Sequence, residues 1–345
     1  MINCRKYISM TSAEFQYKLR CKVYNLYLNL IRKCSFRWYC LFYASYRHSL
    51  THSAVERNEN YIAARPNPGA GIGHQMANWM AGFYLSEVLG LRFANIPFSS
   101  YHDPWKPTAW NELLGFGDGE VDYKDLLARG YKRVLLPLFN AQDEEQLAVI
   151  RRIVGSYADR RVVFVCEQDQ FYRDLHTLIP ELQRKFYATV ARKQDKLIYE
   201  QGHFNIAVHV RRGDIMADPN NANLSMRYLA NDYYVRVLSQ VLEHVRHNSP
   251  IHIYLFSQGK PEDYPEFSNF ENLHWCMHMG AVDSFLHMVH ADLLITSKSS
   301  FSYKPALLNR GIKVSPRNFW HGYPDSEDWI MADDEGEVLW AQSKI

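Results

Sequence analysis

The stretch Ala207-Val-His-Val-Arg-Arg-Gly-Asp214 decides how the rest of this chain is read. An apolar run of the kind that forms a buried strand ends in a histidine, two adjacent arginines, a glycine and an aspartate. In parallel α/β sheets, ligands sit at the carboxyl ends of the strands. An arginine placed there brings a permanent charge and a planar fork of donors, which suits a diphosphate. The segment therefore reads as an anion clamp at the mouth of a nucleotide site. Two plainer readings compete: a solvated basic loop, and an adhesion tripeptide in Arg212-Gly213-Asp214. The adhesion reading fits poorly, because the tripeptide directly follows a buried-type strand.

Around this stretch, strands and helices alternate. Strand Asn205–Val210 precedes helix Asp232–His247, strand Ile251–Ser257 and a short strand Leu273–Met277. Helix Ala281–His290, strand Leu293–Thr296, helix Phe301–Asn309 capped by Gly311, and strand Ile312–Ser315 complete the series. Such alternation predicts a parallel, doubly wound sheet, here the nucleotide-binding half. Its second motif is Asp292-Leu-Leu-Ile-Thr-Ser-Lys-Ser-Ser-Phe-Ser302, a buried strand running into serines where a helix begins. Hydroxyls and free N–H groups at a helix start form a phosphate seat. One serine would explain an ordinary cap; four serines and Lys298 exceed that need.

Upstream, Arg65-Pro-Asn-Pro-Gly-Ala-Gly-Ile-Gly-His-Gln75 leads into Met76, Trp79, Met80, Phe83, Tyr84 and Val88. Their spacing predicts an amphipathic helix ending near Gly90. Gly71 and Gly73 would leave backbone N–H groups open to an anion. The loop lacks the spacing of a dinucleotide fingerprint, and two prolines precede it instead of a clear strand. Further strands are expected over Arg133–Leu136 and Arg161–Cys166, and a connecting helix over Pro180–Glu200.

With 345 residues and 47% apolar composition, the chain can bury two cores, and a formal net charge of +2 gives no sign of a nucleic-acid partner. The charge is uneven: residues 1–55 hold nine Lys or Arg and one acid, Glu14, so a basic extension, 1–57, precedes the body. Cys4, Cys21, Cys34 and Cys40 in it match no zinc spacing and read as free thiols. No signal peptide is evident, and Arg32, Lys33 and Arg37 interrupt the best candidate for a membrane span. The extension either touches a membrane peripherally through Trp38, Tyr39 and Phe42 or packs on the body as a helix. It carries none of the motifs and is expected to be dispensable for chemistry. Location stays unknown, with a cytoplasmic or membrane-peripheral one favoured.

Taken together, His-Val-Arg-Arg-Gly-Asp, a following Asp232-Tyr-Tyr234, a strand ending in Phe256-Ser257 and the serine segment resemble the inverting fucosyltransferase superfamily. That group comprises the α1,2-, α1,6- and protein O-fucosyltransferases; the likeness runs from about Pro66 to Trp320 in order of motifs. The resemblance implies a GT-B-like α/β fold, two Rossmann-like domains facing across a cleft. Residues 58–200 would form the acceptor-side domain, 201–330 the domain binding GDP-fucose, and 331–345 a tail. It implies that Arg211, with Arg212, holds the diphosphate, that His209 faces the nucleotide, that Asp283 reads the guanine edge, and that Ser299 and Ser300 bind the β-phosphate. No cofactor and no metal are expected, since arginines neutralise the leaving group.

One departure concerns the glycine-rich loop. The family usually has Asn after the third glycine, and this chain has His74. Its imidazole either accepts the proton of the acceptor hydroxyl or hydrogen-bonds as Asn would. Asp214 and Asp218 are rival bases, and Asp214 reads equally as structural, pinning the arginine loop. Asp103, Asp118 and Asp169 are scattered and read as structural, and His274, His278, His287 and His290 show no coherent ligand geometry. The expected function is transfer of fucose to a glycan hydroxyl with inversion. Transfer from another nucleotide sugar, or non-catalytic binding on the same fold, are the alternatives.

Overall fold

In the computed structural model, which describes Lys22 and residues 35–55, 59–66, 70–99, 108–167, 174–216, 221–245 and 247–340, the strands sort into two sheets. The first runs β3 (Val121–Asp122), β2 (Arg92–Asn95), β1 (Tyr61–Ala64), β5 (Val162–Cys166), β4 (Lys132–Leu135), with every pairing parallel. The second runs β12 (Val338–Leu339), β11 (Trp329–Ala332), β10 (Ile312–Pro316), β9 (Leu293–Ile295), β6 (Phe204–His209), β7 (Ile251–Phe256), β8 (Leu273–Trp275). Only its β11–β12 pair is antiparallel. Helices α1 (Phe36–Cys40), α2 (Ala44–Ser49), α3 (Ile72–Leu89), α4 (Ala109–Leu114), α5 (Tyr123–Ala128), α6 (Glu144–Gly155) and α7 (Ile179–Ala188) accompany the first sheet. Helices α8 (Ala222–Ser225), α9 (Asn231–His244), α10 (Ala281–His290) and α11 (Ser300–Leu308) accompany the second. Two parallel sheets with helical crossovers make the GT-B-like α/β fold.

The glycine-rich loop does follow a strand, contrary to the sequence reading. Tyr61-Ile-Ala-Ala64 is the central strand of the first sheet, with all four side chains buried. A short strand buried on both faces has no alternation to detect. Helix α3 is not amphipathic either. It is buried on most sides, with β1 and β2 on one flank and α11 of the other unit on another. Gly82 permits this: a Cβ there would lie 2.5 Å from the Ala64 Cβ. Gly90, at φ 64°, ends the helix, and the Leu91 N–H donates to the Ser86 carbonyl at 2.8 Å.

The helix expected over Pro180–Glu200 stops at Ala188; Thr189 turns to extended backbone and only a short 3-10 turn, Val190–Gln194, follows. Two β-branched residues in succession, Thr189 and Val190, favour that break. The chain then crosses to the second unit pinned on α10, with the Ile198 N–H donating to His287 Nε2 at 3.0 Å and the Tyr199 hydroxyl to the His287 carbonyl at 2.6 Å. At the other end, Met331 belongs to β11, so the chain placed in a tail contributes strands to the sheet.

The basic extension is not separate from the body where it is described. Tyr39, Cys40 and Tyr46 join a core with Leu147, Ile150 and Phe164. The Ser45 hydroxyl donates to the Leu135 carbonyl at 2.7 Å, and the Leu138 N–H donates to the Tyr39 hydroxyl oxygen at 3.1 Å. Cys40, Cys166 and Cys276 are buried free thiols; Cys4, Cys21 and Cys34 lie outside the described residues. A further apolar cluster runs from one unit into the other: Met76, Trp79 and Met80 of α3 pack with Phe285 of α10 and Tyr303, Ala306 and Leu307 of α11.

Candidate active site

Strand β6 lies between β7 and β9, where the order of the second sheet reverses, and its carboxyl end opens a crevice of the kind that binds ligands. Val210 extends the pairing by donating its N–H to the Phe256 carbonyl at 3.0 Å, and the Ser257 hydroxyl donates to the Val210 carbonyl at 2.7 Å. The chain then turns at Gly213, whose φ of +75° suits glycine and where a Cβ would collide with the Gln258 amide. The two half-buried arginines before it differ in their partners. Arg212 donates to the Asn231 side-chain oxygen and, at 2.8 Å, to the Arg211 carbonyl, and its guanidinium lies 4.7 Å from the Tyr228 ring centroid. It is built into the loop. Arg211 stands at the strand end. Both act on His209, which burial foremost, then Arg211 and Arg212, hold down at about 3. The imidazole is thus neutral at ordinary pH, and its Nδ1 lies 2.7 Å from the Ser297 hydroxyl.

The serine segment divides its labour. Ser297 meets His209; Ser302, fully buried, accepts the Ser297 N–H at 3.1 Å. Ser299 is the cap of α11, accepting the Phe301 N–H at 3.2 Å. Lys298, counted from sequence as part of an anion seat, turns instead to Asp334 at 3.1 Å. Ser300 begins the helix and faces the other unit.

What it faces is the glycine-rich loop. A Cβ at Gly73 would stand 2.9 Å from the Ser300 Cβ and 2.9 Å from its carbonyl oxygen, so the first turns of α3 and α11 touch. Gly71, the cap residue of α3, has open space around it. His74 is exposed on the same turn. Gln75 is buried and fixes the loop: its amide donates to the Ala70 and Ser99 carbonyls at 2.9 and 3.0 Å, and its oxygen accepts the Ser99 N–H at 2.9 Å.

Beneath this junction lies a cluster that the sequence did not reveal. His176 Nε2 and the Tyr303 hydroxyl are 2.8 Å apart, and the Tyr303 ring stacks on His321 at 4.9 Å. Lys304, 1% exposed, points to the Met80 sulfur at 3.4 Å. His321 is held down at about 2 by burial first, then by Lys304, His74, Arg227 and His176. Basic side chains of both units thus meet under His74. The clue in the sequence was Tyr303-Lys304 directly after the serine segment, but the partners come from distant segments.

Asp283 lies exposed in the first turn of α10, following β8 on the same edge of the second sheet as β7. Asp214 falls in the short turn Gly213–Met216; its side chain, and Asp103, Asp169 and Asp218 altogether, lie outside the described residues. Asp118 gives its carbonyl to buried Lys185 at 3.0 Å. Among the described residues no group of three or more His, Cys, Asp or Glu could hold a metal ion. The clustered histidines serve packing: His252 bridges His203 and His274 at 2.9 Å on either side, and His287 holds the crossover.

No family model matches this chain, and no curated protein matches it in sequence. The chain is similar to solved fucosyltransferases. The fucosyltransferase NodZ from Bradyrhizobium aligns at 15% identity over 73% of this chain and 94% of its own, with a TM-score of 0.44. POFUT1 in complex with GDP aligns at 11% identity over 75% and 97%, with a TM-score of 0.42. A mutant FUT1 of Arabidopsis thaliana in complex with GDP aligns at 13% identity over 81% and 76%, with a TM-score of 0.43.

Proposed function

We propose that this chain is a glycosyltransferase that moves fucose from GDP-fucose to a glycan hydroxyl with inversion, and without a metal ion. The contact of Gly73 with Ser300 carries the reading, because it sets two helix starts, one from each unit, together beside the β6 and β9 ends. Helix N-termini present N–H groups and a partial positive charge to an anion. Arg211, the Ser299 hydroxyl, the Ser300 N–H and those of the Gly71–Gly73 loop would receive the diphosphate, the Ser299 N–H being given to the Ser297 carbonyl; Asp283 would read the base. His209, kept neutral, orients Ser297 next to the clamp.

The reaction breaks the bond between C1 of the sugar and the β-phosphate oxygen, and the electron pair leaves with GDP. Preorganised guanidinium and N–H dipoles stabilise the charge gathering there. The acceptor oxygen bonds to C1 from the opposite face, which inverts it. Its proton passes to the imidazole of His74, exposed at the start of α3.

The test is calorimetry of the purified chain with GDP, UDP and their sugars, followed by turnover of the donor with a glycan acceptor in EDTA. Binding of GDP and GDP-fucose and metal-free transfer are expected. Preference for UDP would overturn the donor. Tight GDP binding with no transfer would make the chain a binding protein, and restoration of turnover by Mg²⁺ alone would overturn the metal-free mechanism.

A further inference from the structure

The segment ahead of β1 has two faces of opposite character. Its inner face puts Tyr39, Cys40 and Tyr46 into the core. Its outer face carries Trp38, 65% exposed, and Phe42, 59% exposed, one helical turn apart on α1 and the turn that follows. Leu50 and Val55 are exposed as well, so four of the thirteen exposed large apolar side chains among the described residues fall within 38–55. The exposed aromatic pair Trp38 and Phe42 marks a contact surface. Exposed Arg37 and Arg47 flank the aromatic pair. Beside Phe42 runs a groove of about 420 Å³ walled by Tyr43, Val134, Leu135 and Tyr157, with exposed Arg133 on its edge.

We propose that this face docks the protein on an anionic phospholipid surface. Trp38 and Phe42 enter the boundary between headgroups and acyl chains, and Arg37, Arg47 and Arg133 meet headgroup phosphates and carboxylates. Charge decides for lipid over a protein partner. Residues 35–55 carry Arg37 and Arg47 and no acid, a face of one sign that matches a sheet of anionic headgroups. No helix among the described residues is long and apolar enough to cross a membrane. The surface stands apart from the donor-site reading, since none of these side chains takes part in it.

The experiment is co-sedimentation of the full chain with phosphatidylcholine vesicles, with and without phosphatidylserine. The parent should pellet with phosphatidylserine vesicles only, and added salt should release it. Each basic side chain at such a surface contributes about fivefold in partitioning, so the Arg37→Glu/Arg133→Glu variant should lose tenfold or more. Trp38→Ser/Phe42→Ser should lose tenfold or more through the apolar contribution. All four positions are exposed, so GDP binding and thermal unfolding should match the parent and separate this outcome from misfolding or failure of the donor-site reading. Equal binding to neutral vesicles, unchanged binding of either variant, or no vesicle binding by the parent overturns the proposal.

Discussion

Gly73 and Ser300 occupy one shared position: a side chain of any size on the first would have to enter the backbone of the second, with 2.9 Å to the Ser300 carbonyl oxygen. The obstacle is a main chain at the start of a helix, which cannot rotate away as a side-chain tip would.

Gly73→Ala should therefore part α3 from α11. Overpacking of this kind costs about 1–3 kcal/mol, read as a lowered melting temperature, and transfer should fall tenfold or more. Gly71→Ala, with nothing within 4 Å of its Cβ, is the control for packing and should keep the parent's melting temperature. If the two variants melt alike, the contact has no special weight.

Arg211→Ala should weaken GDP binding by about tenfold to a hundredfold, the loss of a charge-assisted hydrogen bond of about 1.5–3 kcal/mol. Lysine at 211 should restore it only in part, because a point charge lacks the fork. Arg212→Ala should instead act on loop order, through the lost Asn231 and Tyr228 contacts. Calorimetry separates the two, and unchanged affinity in Arg211→Ala sinks the clamp.

His74→Ala should keep GDP affinity and lose about 10²–10⁴ in turnover, the usual loss of a positioned base. His74→Asn distinguishes proton transfer from hydrogen bonding: full activity across pH in that variant would leave His74 a positioning role only.

His209 makes a pH prediction. Its folded value of about 3 lies below the ordinary 6.5, so between these the unfolded chain binds the extra proton. Stability from this group is complete above about pH 6.5 and falls as pH drops toward 3, by at most about 1.4 kcal/mol per pH unit. His209→Gln cannot titrate, so the stability gap between parent and variant should narrow on acidification. A gap that widens would mean the buried histidine is charged.

A chain starting at residue 58 should be less stable, even though the extension is expected to be dispensable for chemistry. Tyr39 and Tyr46 are buried in the core, and burying a large apolar side chain contributes about 1.5–3 kcal/mol. A melting temperature equal to that of the full chain would show that the extension only covers the body.

The centre of the second sheet was legible because β6 and β7, six residues each, alternate with helices and lead into marked motifs, and helix α10 is found where its spacing puts it; its far edge, β11 and β12, was not. Strand β1 was not, since four buried residues carry no period. Lys298 misled because composition cannot say which way a side chain turns once a helix begins. His176 and His321 could not be tied to Tyr303, because stacking and hydrogen bonding between segments leave no mark in either one alone.

The apolar cluster that threads α3, α10 and α11 has a consequence for how the molecule folds. Neither half closes its own interior: split between the sheets, one fragment would expose Met76, Trp79 and Met80 and the other Phe285, Ala306 and Leu307. Loss of structure should then be a single cooperative event, even though two sheets of this size commonly melt one after the other. The docking of α3 on α11 joins segments remote in sequence, so it carries a large loop-closure cost and belongs late in folding. During synthesis the first half would wait with an oily flank uncovered until Leu307 emerges, open meanwhile to a chaperone.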